Sequence, residues 1–302
     1  MNSPHLDPTR KHDFVFILDV RDGNPNGDPD AGGAPRIDPV TGQGLITDVA
    51  IKRKIRNTVA LTNAGTPGYD IYVEAGVALN AQHERAYNEG SATNESDART
   101  WMCQTFYDVR MFGAVMTTGK ETKKGEGRKT AGRVQGPMQL TFSRSIDPIT
   151  PFEIGITRVT PTRVEDVEAL KNPTEKNRGK ETEMGNKHIV PYGLYRGEGH
   201  FSAPLAAKTG ATIEDLATFW RAFTIMLDHD RASARGEMSL RGLYIFTHDD
   251  QYGRAPARQL LDLVRTKPIG GATARTFADY ADGIEIDDAA IPDGITLTRL
   301  IG

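Results

Sequence analysis

Four carboxylates lie within a dozen residues near the start of the chain: Asp19, Asp22, Asp28 and Asp30. Paired carboxylates can hold Mg²⁺ for phosphodiester cleavage, so a metal-dependent nuclease is one chemistry to weigh. The run Asp22-Gly-Asn-Pro-Asn-Gly also matches the first half of a calcium loop. The twelfth position of such a loop should be a bidentate Glu and is Gly33 here, Pro25 interrupts it, and no apolar helix precedes it. A glycine-rich loop offering backbone N–H groups and Asn amides to a phosphate or base is the better reading, with a purely structural turn as the alternative.

Cations form the second group. Lys52, Arg53, Lys54 and Arg56 fall within one short stretch that contains no acid. On a helix, cations one turn apart can reach adjacent phosphates, although a solvated face is the usual fate of a charge run. From Arg110 to Arg133 there are seven Lys/Arg against two Glu. Lys120–Lys129, KETKKGEGRK, resembles a phosphate-binding loop but fails in detail, since Arg128 separates Gly127 from Lys129 and no buried strand leads into it. A basic loop near nucleic acid is the remaining reading. At Arg110-Met-Phe-Gly113 the sequence leaves two roles open, a plain core with a glycine cap or an aromatic flanking an unstacked base. The seven histidines form no pair at metal-ligand spacing, and His188 has no evident partner for acid–base work. No catalytic residue, metal site or cofactor is expected, so the chain is read as a binding protein and not an enzyme.

These residues need elements to position them. DFVFILDV, residues 13–20, is a short run rich in β-formers and predicts a buried central strand. Residues 21–44 predict an irregular loop. A helix follows over 47–61, capped by Thr47 or Asp48, with Ile51, Ile55 and Val59 as its buried stripe. A second helix is predicted from about Asp97 to Met111 and a half-buried strand at Met138–Phe142. Residues 153–192 have β-like ends around a charged middle, the pattern of a protruding arm. Residues 212–230 give the clearest helix, with Thr212 and Asp215 as a capping box. Leu243–Phe246 predicts a strand, 256–265 a helix, and Ile284–Ile286 and Ile295–Leu297 weak strands. A β-α-β order with antiparallel strands suggests an α+β, ferredoxin-like sheet of the kind used by RNA-recognition (RRM) modules. Without an internal repeat or sharp linker, residues 1–302 are expected to form one elaborated domain, with insertions at about 63–98, 117–133 and 153–192.

With 38% hydrophobic and 25% charged residues in 302, the chain is ordinary for a globular protein. Its 31 Gly and 17 Pro fit long loops. The lone Cys103 cannot form an internal disulfide, and the N-terminal MNSPHLDPTRKHD has no apolar signal-peptide core. A soluble protein of a reducing, cytoplasmic compartment with no membrane partner is expected. The net charge of −3 argues mildly against a nucleic-acid coat. The segregation of cations from the acids of Asp279 to Asp293 instead suggests a one-sided anion-binding surface.

Four blocks then carry a resemblance: NPNGDPDAGGAPRIDPVTGQGLITDVAIKRKIRN, DVRMFGAVM, GPMQLTFSRSIDPI and MGNKHIVPYGLYRGEGHFSA. In this order, across roughly residues 13–205 (about two-thirds of the chain), they resemble the Cas-seven family, type I-C branch, the backbone subunit of the CRISPR Cascade complex of antiviral defence. The resemblance implies a ferredoxin-like palm, inserted fingers at about 63–98 and a β-hairpin thumb at 153–192. It implies copies assembled in a helical filament along the guide RNA (crRNA), each thumb folding over its neighbour's RNA. Further implied partners are target DNA paired through the guide, a guide-processing Cas-five-type subunit, a large subunit and a small subunit. Carried onto this chain, Asn24, Asn26 and Arg36 would lie at the RNA groove, and Lys52, Arg53 and Arg56 would hold phosphates. Phe112, Gly113, Gln135 and Gln139 would line the path, with Arg110 beside them, and Lys187 and His188 would stand near the thumb's root.

Overall fold

In the computed structural model, residues 3–118, 129–173, 181–270, 273–280 and 283–302 are described. The apolar run becomes the His12–Gly23 strand, with every residue from His12 to Val20 buried. It is buried because both sheet faces are covered. Phe14, Phe16, Leu18 and Val20 face the helices Asp48–Thr62 and Ile213–His229, packing with Ile51, Ile55, Phe219 and Phe223. Val15 and Ile17 face the other way, onto Leu260, Leu261, Val264 and Tyr280. Each such side chain stabilises the fold by about 1.5–3 kcal/mol relative to exposure. Phe14 meets Phe219, Trp220 and Phe223 edge-on, with the Phe14 and Trp220 centroids 5.0 Å apart.

The protein is therefore a mixed α/β structure on an antiparallel sheet. In spatial order the sheet runs Ile295–Ile301, Glu237–His248, His12–Gly23, Glu183–Phe201, Ser143–Pro148 and Gln43–Ile46. Two more strands, Met138–Leu140 and Phe152–Arg158, pair with the 19-residue strand Glu183–Phe201. That strand has two roles. From Val190 onward it pairs with the central strand, while Glu183–Ile189 pairs only with Phe152–Arg158. At the hand-over the register skips Asp22 and Pro191, and Asp22 has a left-handed φ of 51°. Phe152–Arg158 is exposed throughout, so this ribbon projects as an arm, continued by the helix Val164–Lys171. Residues 174–180 of its charged middle lie outside the described residues.

A separate hydrophobic cluster lies within the region between the first helix and the hairpin Gly113–Met116/Gly132–Gln135. Tyr72, Ala86, Ala98, Met102, Phe106 and Met116 build it. Here the expected helix from Asp97 to Met111 is two helices, Glu95–Thr105 and Tyr107–Phe112. Phe106 between them is extended and bridges Asp70, whose carbonyl accepts from Tyr107 N at 2.9 Å. The expected 256–265 helix is likewise shorter, Ala257–Leu261, with Val264–Arg265 pairing Glu285–Ile286.

Candidate nucleic-acid interface

The irregular loop is braced rather than loose. Asn24 is buried, donating from Nδ2 to Gly33 O at 2.7 Å and from its backbone N–H to Ala234 O at 2.7 Å. Asn26 Oδ1 accepts from Thr47 N at 2.9 Å and Thr47 Oγ1 at 3.0 Å, which fastens the loop to the N-cap of the first helix. Both side-chain oxygens or amides named here face inward and hold the loop. Gly32 and Gly33, with positive φ, stand in open space, where backbone can approach a ligand. Arg36 Nη1 lies 3.4 Å from Asp28 Oδ2.

On the first helix the four cations divide in two. Lys54 is 3% exposed and pairs with Asp230. Burial lowers its pKa, and the Asp230 carboxylate opposes that shift. Arg56 is buried against Asp108, Nε to Oδ2 2.7 Å, while the same carboxylate accepts from the backbone of Tyr72 and Val73. Lys52 and Arg53 remain at the rim. Lys52 Nζ reaches Asp48 Oδ2 at 3.0 Å and Gln139 Oε1 at 3.2 Å, and Arg53 Nη1 donates to Val73 O at 2.6 Å. The cation run that carries no acid in its own sequence is thus matched by Asp108 and Asp230, acids far along the chain.

Arg110 is also inside. Its guanidinium grips Asp215 with two bonds, Nε to Oδ2 at 2.8 Å and Nη2 to Oδ1 at 2.7 Å, and donates to the carbonyls of Cys103 and Gly68. Phe112 is core: it packs edge-on to Phe219 with a 6.2 Å centroid separation. Lys52 and Arg56 lie over its ring at 5.8 and 5.2 Å. Beside it Gly113, with φ +80°, crosses Gly136 so closely that a Cβ on Gly136 would sit 2.2 Å from Gly113 N. Gln139 staples this saddle, donating from Nε2 to Phe112 O and Gly136 O at 3.1 Å each. Gln135 is exposed at its edge.

At the arm's root Lys187 Nζ reaches Ser233 Oγ at 3.4 Å, and His188 is half-buried. Ser233 belongs to a loop that sequence reasoning missed. In it Asp230 holds Lys54 and Arg235, and Arg235 Nη1 donates to Asn24 O at 3.2 Å. A Cβ on Gly23 would fall 1.9 Å from Arg235 O. The sequence signal was modest: Arg231-Ala-Ser-Ala-Arg-Gly236, a small-residue turn closed by a glycine that the structure holds at φ +61°. Asn24, Asn26, Lys52, Gln139, Phe112 and Gly113 therefore form one contiguous patch, and this loop ties the Asn24 end to the arm. Arg56 and Arg110 support it from below. Residues 120–128 of the basic KETKKGEGRK stretch lie outside the described residues.

The four carboxylates do not act as a set. Asp19 Oδ2 accepts from Tyr192 OH at 3.1 Å and Arg241 Nε at 2.9 Å. Asp28 is engaged by Arg36 and by Asp30 N. Among the described residues no group of three or more His, Cys, Asp or Glu is placed to hold a metal ion. No helix among them is long and apolar enough to cross a membrane.

An antiparallel sheet covered on both faces, with a projecting arm, defines a mixed α/β protein. Residues 10–287 match the family model of CRISPR-associated protein Cas7, and the chain belongs to that family. A Haloferax volcanii relative, described as CRISPR-associated protein Cas7, is 29% identical over 158 residues. That match covers 47% of this chain and 45% of the relative, so it spans less than half of that protein. Among solved structures, a chain of a CRISPR RNA-guided surveillance complex aligns with TM-score 0.42 and 13% identity, covering 78% of this chain and 68% of that one. A chain of a pre-nicking surveillance complex aligns with TM-score 0.45 and 13% identity, covering 78% and 75%.

Proposed function

We propose that this chain is the guide-RNA-binding backbone subunit of a type I-C CRISPR surveillance complex, and that it performs no chemical step. Membership of the Cas7 family over residues 10–287 carries this reading. The sheet and its two helices act as a ferredoxin-like palm, the Tyr72–Met116 cluster as fingers and the Phe152–Ile189 ribbon as thumb. Copies polymerise along the guide beside a Cas-five-type subunit, a large subunit and a small subunit in the cytoplasm. Lys52, Arg53, Arg36 and Lys187 meet phosphates and release counterions. The saddle at Phe112, Gly113, Gln135 and Gln139 sets the path, and Arg56 and Arg110 fix the elements that carry it. Holding the guide ordered lowers the entropy cost of pairing with target DNA.

The test is RNA binding by the purified protein. Protein prepared without nuclease should retain RNA. Lys52→Ala with Arg53→Ala removes two single-strand phosphate contacts, so the slope of log K against log salt should become shallower by about 1.4. An unchanged slope would remove this helix from the interface. Mg²⁺-dependent RNA cleavage that Asp22→Ala abolishes would replace the whole reading with a nuclease.

A further inference from the structure

A cleft of about 490 Å³ opens between the helix Glu95–Thr105, the strand Gly132–Gln135 and the short helix Ala203–Thr209. Arg99, Arg133 and Lys208 line it from three separate elements, Gln104 and Gln135 add amides, and none of its lining residues is acidic. In a chain of net charge −3 that is an unusual local balance. Arg99 has one carboxylate partner, Glu95 at 2.9 Å, and its Nε is buried without a hydrogen bond. Arg133 and Lys208 are exposed, and no ion pair to either occurs among the described residues. A second cation-lined groove differs. There Arg144, Arg196 and Arg258 are each neutralised, by Asp38, Glu198 and Asp262 among others.

The cleft also adjoins the site described above. Gln135 lines it, and on the far side of the Gly113–Gly136 saddle Gln139 is bonded to Lys52. Arg133 and Lys208, without an ion pair among the described residues, stand on one flank of a narrow glycine saddle, and Lys52, held by Asp48, stands on the other. Cations spread along such a saddle make a track for an extended polyanion rather than a socket for a small ion.

We propose that this cleft binds the phosphodiester backbone of single-stranded nucleic acid, and that it continues the path of the same strand held by Lys52 and Arg53. The proposal rests on the guide-RNA reading above. Arg133 and Lys208 hold phosphates, and Arg99, anchored by Glu95 on the cleft wall, adds its positive charge to the field there.

The experiment uses the full chain and a fluorescein-labelled, unstructured single-stranded RNA in a salt series. Arg133→Ala with Lys208→Ala alters two exposed side chains, and an unchanged thermal melt confirms the fold. Losing two single-strand contacts should make the salt slope shallower by about 1.4, so the affinity drop between about 50 and 200 mM salt shrinks about sevenfold. The charge-preserving Arg133→Lys with Lys208→Arg should keep the wild-type slope. A wild-type slope in the alanine variant, while Lys52→Ala with Arg53→Ala lowers it, overturns the cleft and leaves the guide-RNA reading standing. Absence of RNA binding by the wild-type protein overturns both. If the alanine variant loses affinity only for complementary DNA added to RNA-loaded protein, the cleft serves a second strand and the one-strand path is wrong.

Discussion

Arg110 separates two accounts of the same residue. As an RNA contact it would be dispensable for folding. In the structure it is the sole basic partner of Asp215 among the described residues, and both side chains are almost fully buried. Replacing Arg110 with Met keeps most of the packing but leaves Asp215 charged, with its backbone partner Thr212 N at 2.9 Å and no cation. It also strips donors from the carbonyls of Cys103 and Gly68, which tie the Glu95–Thr105 helix and the 63–70 loop to the Ile213–His229 helix. Removing one member of a buried pair costs about 3–5 kcal/mol. With a urea slope of about 3 kcal/mol/M, the midpoint falls by about 1–1.7 M. Asp215→Asn neutralises the orphaned charge, so Arg110→Met with Asp215→Asn should lose less than the sum of the two single losses, the sign of direct coupling. Equilibrium urea denaturation followed by circular dichroism, on all four proteins, gives the cycle. A midpoint shift below about 0.3 M for Arg110→Met, together with a shallower RNA salt slope, would show that the guanidinium faces RNA and refute the structural role.

Acid should weaken the fold before the carboxylates titrate. Burial pushes His12 down to about 4, against Asp7, which pulls it up, and with His5 and His248 nearby adding to the depression. The unfolded chain takes up this proton near pH 6.5 and the folded one only near pH 4. Stability is therefore full above about pH 6.5 and falls by about 3 kcal/mol on descending to pH 4. Thermal melts across that window check it, and His12→Gln should flatten the dependence. Burial alone would raise Asp13, but bonds from His200, His248 and Lys11 outweigh it and hold the carboxyl far below the usual range, so its contribution is lost only in stronger acid. At the saddle, Gly136→Ala would drive a methyl into Gly113 N and Met111 O. It should destabilise the protein by about 1–3 kcal/mol in urea and weaken RNA binding, whereas Gly32→Ala, with nothing within 4 Å, should change neither packing nor stability beyond its backbone preference.

What the sequence made legible was whatever depends on near neighbours. The continuous apolar run at 13–20 marked a strand buried on both faces, because alternation vanishes when neither face meets water. The i, i+4 spacing of Ile51, Ile55 and Val59 located the first helix, and Thr212 with Asp215 formed both bonds of the expected capping box. Partners far apart in the chain were not legible. Nothing near Lys54 announces Asp230, nor anything near Arg110 its grip on Asp215. The break at Phe106 was hidden for the same reason: a helical pattern of apolar residues runs through it, and only the bridge to Asp70 forces it extended. The residues the family blocks pointed to lie near one another around the first helix and the glycine saddle, several of them buried. The blocks did not reveal which of these cations bear weight within the fold and which look outward, because that depends on distant carboxylates.

The strand Glu183–Phe201 has one further consequence. Two-stranded ribbons are marginal by themselves, yet this one is built on a strand whose other end pairs beside the central strand of the sheet. The arm is a cantilever, not a hinged flap. Sideways force at its tip passes into the central sheet through the strand itself, next to the pairing of Arg21 with Tyr192. The ladder has its one gap at Pro191, where the strand lacks an N–H and the pairing with Asp22 lapses. The arm's root is therefore part of the same hydrogen-bonded ladder as the central sheet.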